Sequence, residues 1–386
     1  MFKVTFAILI FILLSSMTYG QENWMLKGYL KGLASAQTVD DGEWLMEGTI
    51  HNRLDFNWYI SDHFTLTAGL RNRIIAGNTV AQIPDYSLFI GRDNGYFDLS
   101  WVWADQNDWI GISQFDRLML DYTTGNLQVI IGRQRINWGQ TFVWNPNDLF
   151  NTYSYFDFDY EEKPGTDAVR IQYYLGESSK IELSTSLDAA SKITSSFLYR
   201  FNTKGYDIQF IGGVYTETDY IVGGGFSGSI AGGGFSGEFT YFHPMQDEDE
   251  SGSATATIHY DYTFSNSLNL QFETLYNGFG ADDMRGGLED VIFQDLNPKN
   301  LFPTKLAFFA SGGYDLSPLW RLMLAGMYGP AGNFMYVGPT INYMMSNNME
   351  LAGYGQYYYM DEIQDALGNP LVNSGFAAFI RYKWSF

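Results

Sequence analysis

The chain of 386 residues contains no cysteine. No disulfide can form, and no N-terminal cysteine can carry a lipid. Charge is scarce, at 17% of residues, against roughly 25% in soluble domains. Its balance is acidic: 22 Lys and Arg against 43 Asp and Glu give a net charge of −21. A nucleic-acid partner is therefore not expected, because phosphate binding needs a basic face. Histidine is limited to His51, His63, His243 and His259. A hydrolytic site needs a histidine placed with a serine or a carboxylate. The pairs His51 with Asp55 and His259 with Asp261 read as polar residues of a strand face, and no enzyme is expected. The acidic stretch QDEDESGS (246–253) has no metal-ligand spacing, so neither a metal nor a cofactor is expected.

Long apolar runs are nearly absent as well. Residues 1–20, MFKVTFAILIFILLSSMTYG, have one lysine, an apolar run from Val4 to Leu14 and small residues before Gly20. This is the pattern of a signal peptide cut after Gly20, with an apolar run too short to span a bilayer. Beyond it no stretch of eighteen apolar residues occurs, so no transmembrane helix is expected. An exported chain without such a helix still has one way to cross a membrane, as a closed β-barrel.

Aromatic residues (18%) and glycine (41 residues) are abundant. Between turn residues, polar and apolar side chains alternate over segments of roughly ten to fifteen residues, the dyad pattern of transmembrane strands. Eighteen such segments run from 24–37 to 374–386. The longer breaks at 77–108, 140–165, 244–252, 280–303 and 362–373 all fall on one side of the alternation. Residues 21–386 are thus expected to form one all-β domain: a transmembrane antiparallel β-barrel of about 18 strands, with short periplasmic turns and long extracellular loops. Sixteen is the alternative count, because the glycine-rich middle can be divided differently. YFDLSWVWADQ (96–106) is assigned to the rim of the second loop or to an extension of the next strand. No N-terminal plug domain and no periplasmic tail are expected.

Strict alternation assigns faces. Met46, Ile50, Leu54, Phe56 and Trp58 go to lipid, which sends Thr49, His51, Arg53 and Asp55 inward. Phe64, Leu66, Leu70 and Ile74 likewise send Arg71 and Arg73 inward, and Leu268, Leu270, Phe272 and Tyr276 send Glu273 inward. In VIIGRQRINWGQ (129–140), Arg133, Arg135 and Asn137 share a face opposite Ile130, Ile136 and Trp138. A lipid-facing charge at mid-depth costs about 2–4 kcal/mol, which assigns the arginines to water and Trp138 to the interfacial aromatic belt. Eight of the twelve arginines, Arg53, Arg71, Arg73, Arg117, Arg133, Arg135, Arg170 and Arg200, fall within the second to eighth strands. They are the candidate pore lining. The break 140–165 interleaves Asp148, Asp157, Asp159, Glu161 and Glu162 with aromatic residues. It is expected to fold into the barrel mouth as a constriction loop, its carboxylates set against the arginine wall. GGGFSG occurs at 223–228 and again at 232–237, read as a hairpin of two similar strands or as a thin wall where an inward loop or a second subunit packs. Leu288, Val291, Ile292 and Leu296 have helical spacing, predicting a short amphipathic helix in its loop.

The terminal FAAFIRYKWSF alternates Phe376, Ala378, Ile380, Tyr382, Trp384 and Phe386 with mostly polar residues. It resembles the last strand of outer-membrane β-barrels, which in that family is read by the barrel assembly machinery. IGRQRINWGQTFVWNPNDLF and EEKPGTDAVRIQYYLG, within residues 95–205, resemble Gram-negative outer-membrane porins, including porin-like barrels of Bacteroidetes. They are also similar to alginate-export channels, whose strands carry an Arg-Gln motif before an aromatic-Gly pair. The resemblance implies a location in the cell outer membrane, contact with its lipid and lipopolysaccharide, and a homotrimer as a candidate assembly. It implies passive diffusion of small hydrophilic solutes through a water-filled lumen, and the clustered arginines point to anionic or sugar-like ones. The alternative is a dedicated polysaccharide or oligosaccharide export or import channel working with periplasmic partners.

Overall fold

The computed structural model describes residues 23–40, 42–152, 155, 164–246, 251–282, 296–361 and 371–386. Among these the first strands are β1 (Trp24–Val39), β2 (Leu45–Tyr59) and β3 (Phe64–Gly77). Two short helices follow, α1 (Asn78–Gln82) and α2 (Tyr86–Gly91). Then come β4 (Ser100–Asp105), β5 (Trp109–Thr124), β6 (Leu127–Gln134), β7 (Thr166–Tyr174), β8 (Lys180–Leu187), β9 (Ile193–Thr203) and β10 (Tyr206–Tyr215). The glycine-rich pair is β11 (Asp219–Ile230) and β12 (Gly233–Pro244), followed by β13 (Ser253–Thr263) and β14 (Asn269–Asn277). The last five are β15 (Leu306–Ser317), β16 (Trp320–Gly329), β17 (Phe334–Ser346), β18 (Met349–Tyr359) and β19 (Ser374–Ser385).

Eighteen of these strands pair in chain order, all antiparallel, and β19 returns to β1 from Tyr29↔Ser385 to Val39↔Gly375. Closure gives each strand of this eighteen-strand circuit a partner on both sides, as hydrocarbon requires. The turn chemistry fits: Lys204-Gly205 and Ala231-Gly232 both have positive φ, the two-residue turn whose twist matches antiparallel strands. The alternation also holds where it was read. Ile50 is 55% and Phe272 53% exposed on the outside, while His51, Arg53 and Glu273 are each 2% exposed inside.

The outer side departs from plain alternation in one respect. Asn52, Asn72 and Ser113 lie among its apolar residues. They bond one another, with Asn72 Nδ2 donating to Asn52 Oδ1 at 3.3 Å and Ser113 Oγ to Asn72 Oδ1 at 2.6 Å. Trp103 Nε1 donates to Ser113 Oγ at 3.2 Å. Mutual hydrogen bonding lowers the cost of placing these groups away from water.

β4 answers the question posed by 96–106. It pairs with the outer part of β5, from Ser100↔Gln114 to Asp105↔Ile110. It occupies the edge that β6 leaves vacant by ending at Gln134, and so it is a partial nineteenth strand that leaves the eighteen-strand circuit unchanged. The segment before it reaches β8 through the bridge Gly95↔Asp188. Val80 of α1 and Tyr86 and Ile90 of α2 pack with Ile75 and Ile110 at the long-loop end. The signal-peptide residues 1–20, the acidic residues 247–250 and Leu288, Val291 and Ile292 of the predicted loop helix lie outside the described residues.

Candidate solute passage

The inward faces of β19, β1, β2, β3 and β5 are basic. Register places Lys383, Lys31, His51 and Arg73 in one row across four neighbouring strands. At about 4.8 Å per strand the row spans roughly 14 Å. The adjacent row holds Tyr29, Arg53, Arg71 and Gln114. Arg53 bonds Asp55 at 2.9 Å and also Asp116. Asp116 owes its position to a bulge: Gly69 faces Arg117 and Leu70 faces Phe115, so Asp116 is the extra residue. Asp116 and Arg117 thereby both reach the inside, and both are buried. Arg71 Nε meets His51 Nε2 at 3.4 Å, and Arg73 Nη2 donates to the Ile90 carbonyl at 3.0 Å. The Tyr86 hydroxyl donates to Glu47 at 2.7 Å. Burial and that carboxylate push its phenol above the usual range.

Beyond β6 the chain turns into the barrel. The Gln134 amide donates to the carbonyls of Ile130 and Ala168, both at 3.1 Å, and the strand stops there. Ile136 and Trp138 are fully buried among Leu198, Ile211, Ile221 and Phe242, all inward residues of the wall. Trp138 is therefore not part of an aromatic belt on the lipid face. Its indole N–H donates to Glu182 Oε1 at 2.7 Å, and Gln209 donates to its carbonyl at 2.7 Å. Arg170 and Lys180 meet the same Glu182, at 2.6 and 2.8 Å. Arg200 bonds its cross-strand neighbour Gln209 at 2.5 Å.

The next turn of the segment is held by two more glutamates. Glu238 accepts from the backbone N–H groups of Gln140, Thr141 (2.7 Å) and Asn147 (2.9 Å), and from the Thr141 hydroxyl (2.9 Å). Glu273 accepts from the N–H groups of Phe142 (2.8 Å), Val143 (3.1 Å) and Trp144 (2.7 Å), with His259 Nδ1 at 3.1 Å. Carboxylates of the wall hold amides of the loop, on the wall away from the basic rows. The glycine-rich strand makes room for this: a Cβ at Gly225 would meet Gln140 Oε1 at 2.5 Å and Asn147 Nδ2 at 3.0 Å. Asp148 is buried in this segment. Asp157, Asp159, Glu161 and Glu162 lie outside the described residues.

Of the eight predicted arginines, Arg53, Arg71, Arg73, Arg117, Arg170 and Arg200 lie on the inner face. Arg133 does not. It faces Asp167 and Leu118, two residues from Ile131, Val169 and Leu120, all exposed on the outside. Gly132 at φ +116° keeps register, so alternation carries Arg133 outward at the long-loop end. There the segment 93–97 closes over it. The guanidinium forms a two-pronged bond with Asp167 (2.9 and 2.8 Å), meets Asp93 at 2.5 Å and donates to the Phe97 carbonyl at 2.5 Å. Arg135 lies beyond the strand end, in the inward segment. Lys31, Arg321, Arg381 and Lys383 fall outside the lining expected from the sequence, although the alternation of the last strand sets Arg381 and Lys383 opposite its apolar face. Alternation places Glu273 inward without a role and gives none to Glu182 or Glu238.

The inward segment is bonded to β8–β14, and its Val143 and Trp144 pack on inward residues of β14–β18; nearer the short turns, space remains along β15–β19. A cavity of 780 Å³ lies between Phe142 and Tyr155 on one side and Arg321, Thr340, Asn342 and Arg381 on the other, reaching the short turn at Ser317 to Leu319. Arg381 pairs with Glu350 at 2.5 Å and sits 5.3 Å from the Tyr354 ring centre; Arg321 pairs with Asp315 at 3.3 Å.

A closed barrel of eighteen strands, greasy outside and narrowed by an inward segment, has the architecture of porin-like outer-membrane barrels. No protein-family model matches the chain, and no curated protein does. Solved structures do. The chain is similar in fold to OccAB3 of Acinetobacter baumannii, with 10% identity, TM-score 0.58, and coverage of 94% of this chain and 100% of that one. OccK11 (OpdR) of Pseudomonas aeruginosa matches at 8% identity, TM-score 0.58, and coverage of 96% and 100%. The outer membrane protein OpdK of Pseudomonas aeruginosa matches at 10% identity, TM-score 0.58, and coverage of 94% and 99%. These structural neighbours are porins of Gram-negative outer membranes.

Proposed function

We propose that the protein is a porin of the cell outer membrane, a passive channel through which small hydrophilic solutes diffuse. The observation that carries this is the incomplete filling of the barrel. The inward segment is anchored on the β8–β14 side and leaves the 780 Å³ cavity, edged by Arg321 and Arg381, open to a passing solute. Selection is by size and by charge, with no covalent chemistry. The inner arginines, Arg53, Arg71, Arg73, Arg117, Arg170 and Arg200, together with Lys31 and Lys383, favour anionic solutes through their field, since Lys31, Arg53, Arg71 and Arg117 are buried, while Arg321 and Arg381 stand at the cavity wall. The inward segment, continuing through 140–165, acts as the constriction. The C-terminal strand, ending in Phe386, is offered to the barrel assembly machinery. Kinship with the Bacteroidetes branch of porins rests on the motif within residues 95–205. The test is conductance of the refolded protein in planar bilayers, with a reversal potential in a salt gradient. Anion-leaning current supports the proposal, clear cation selectivity overturns the charge preference, and a folded barrel without current overturns the channel.

A further inference from the structure

We propose that Glu238 and Glu273 are the positioning residues that set the width of the passage. They do so by clamping backbone amides, without touching solute. The proposal rests on the channel reading above. Residues 140–147 have no helix or strand of their own, so their amides need partners from elsewhere. Pro146 has no N–H, which leaves seven donors, and six of them go to these two carboxylates. The two anchors stand on separate strands, β12 and β14. Between them Thr257 of β13 bonds the Thr141 hydroxyl at 3.1 Å, and Thr240 of β12 donates to the Pro146 carbonyl at 3.0 Å.

The clamp is attached directly to the edge of the passage. Val143 and Trp144 are buried at 8% and 4%, whereas Phe142, bonded to Glu273 through its own N–H, is 48% exposed and lines the cavity. Moving the Phe142 backbone therefore moves one wall of the opening. Ionised carboxylates are acceptors only, with two oxygens able to receive several converging donors. Glutamine has the same shape but turns an NH₂ donor toward the amides. Glu273→Gln thus opposes donor to donor without changing side-chain volume.

The experiment uses the full-length protein refolded in lipid, with heat-modifiable migration as the check that the barrel is intact. For Glu273→Gln we expect noisier single-channel current and relaxed size selection in liposome swelling with a sugar series from arabinose to raffinose. Each lost amide–carboxylate bond should raise the population of displaced loop on the order of tenfold. Glu238→Asp, which keeps the charge one methylene short, should lie between the native protein and Glu238→Gln. Hydrogen exchange of amides 140–147 gives a second readout independent of current: slow in the native protein, faster in the glutamine variants. Unchanged protection and unchanged size selection in both glutamine variants overturn the clamp. Protected amides in a native barrel that passes no current overturn the channel, and with it the proposed role in setting pore width.

Discussion

Glu182 offers the sharpest energetic prediction. Its carboxylate is fully buried and receives Arg170 Nε (2.6 Å) and Nη2 (2.9 Å), Lys180 Nζ (2.8 Å), Trp138 Nε1 (2.7 Å) and Gln172 Nε2 (2.9 Å). Glu182→Gln keeps the volume and removes the charge that two cations face. Hydrogen bonds to charged groups contribute about 1.5–3 kcal/mol each. Arg170 and Lys180 are 14% and 18% exposed, so water recovers only part of the loss. Removing one partner of a buried pair costs about 3–5 kcal/mol, and the substitution should fall in that range. Trp138→Phe deletes one donor to the charged Glu182 and should cost about 1.5–3 kcal/mol beyond its small packing change. Equilibrium unfolding in urea, followed by tryptophan fluorescence of protein refolded in vesicles, measures both. Arg170→Met and Lys180→Met added to Glu182→Met should recover most of the stability, because no uncompensated charge remains. A Glu182→Gln loss below about 1 kcal/mol, or no recovery in the triple variant, would refute the electrostatic reasoning.

Three further outcomes follow from named contacts. Gly225→Val puts a side chain where Gln140 and Asn147 sit; overpacking of this kind costs about 1–3 kcal/mol, and single-channel conductance should change while the barrel still folds. Asp167→Asn weakens the bond that seats Arg133, so limited proteolysis should cut within 92–99 while the native chain resists. Ile50→Lys should lower unfolding stability in vesicles by about 2–4 kcal/mol, whereas Asn342→Lys at the cavity wall should cost less than about 1 kcal/mol.

The barrel was legible because hydrocarbon enforces one rule along the whole chain. Ile50, Phe272 and Ile380 must face out, so their neighbours face in, and eighteen segments could be counted. The rule weakens where protein covers protein. Leu198, Ile211, Phe242, Leu275 and Phe309 are apolar yet point inward, because the inward segment gives them a dry partner. Trp138 belongs to the same packing, and alternation carried past the true strand end at Gln134 sent it to lipid. Arg133 was misplaced for a related reason: two arginines two residues apart looked like one wet face, whereas segment 93–97, close to forty residues earlier, covers the first of them. The Asp116 bulge depends on pairing with Gly69 and leaves no mark in the local pattern. The glutamate anchors were visible as inward residues, but their donors are backbone amides, which every residue carries and which no motif can flag.

Cysteine modification tests the central division between lipid and water most directly, since the native chain has no cysteine and any introduced thiol is unique. Ile341 lies 40% exposed on the outer face of β17, and its neighbour Asn342 lines the cavity. In a planar bilayer, a charged, water-soluble methanethiosulfonate should change the current through Asn342→Cys and leave Ile341→Cys unaffected. The reverse pattern, block at 341 and silence at 342, would contradict the fold and the passage together.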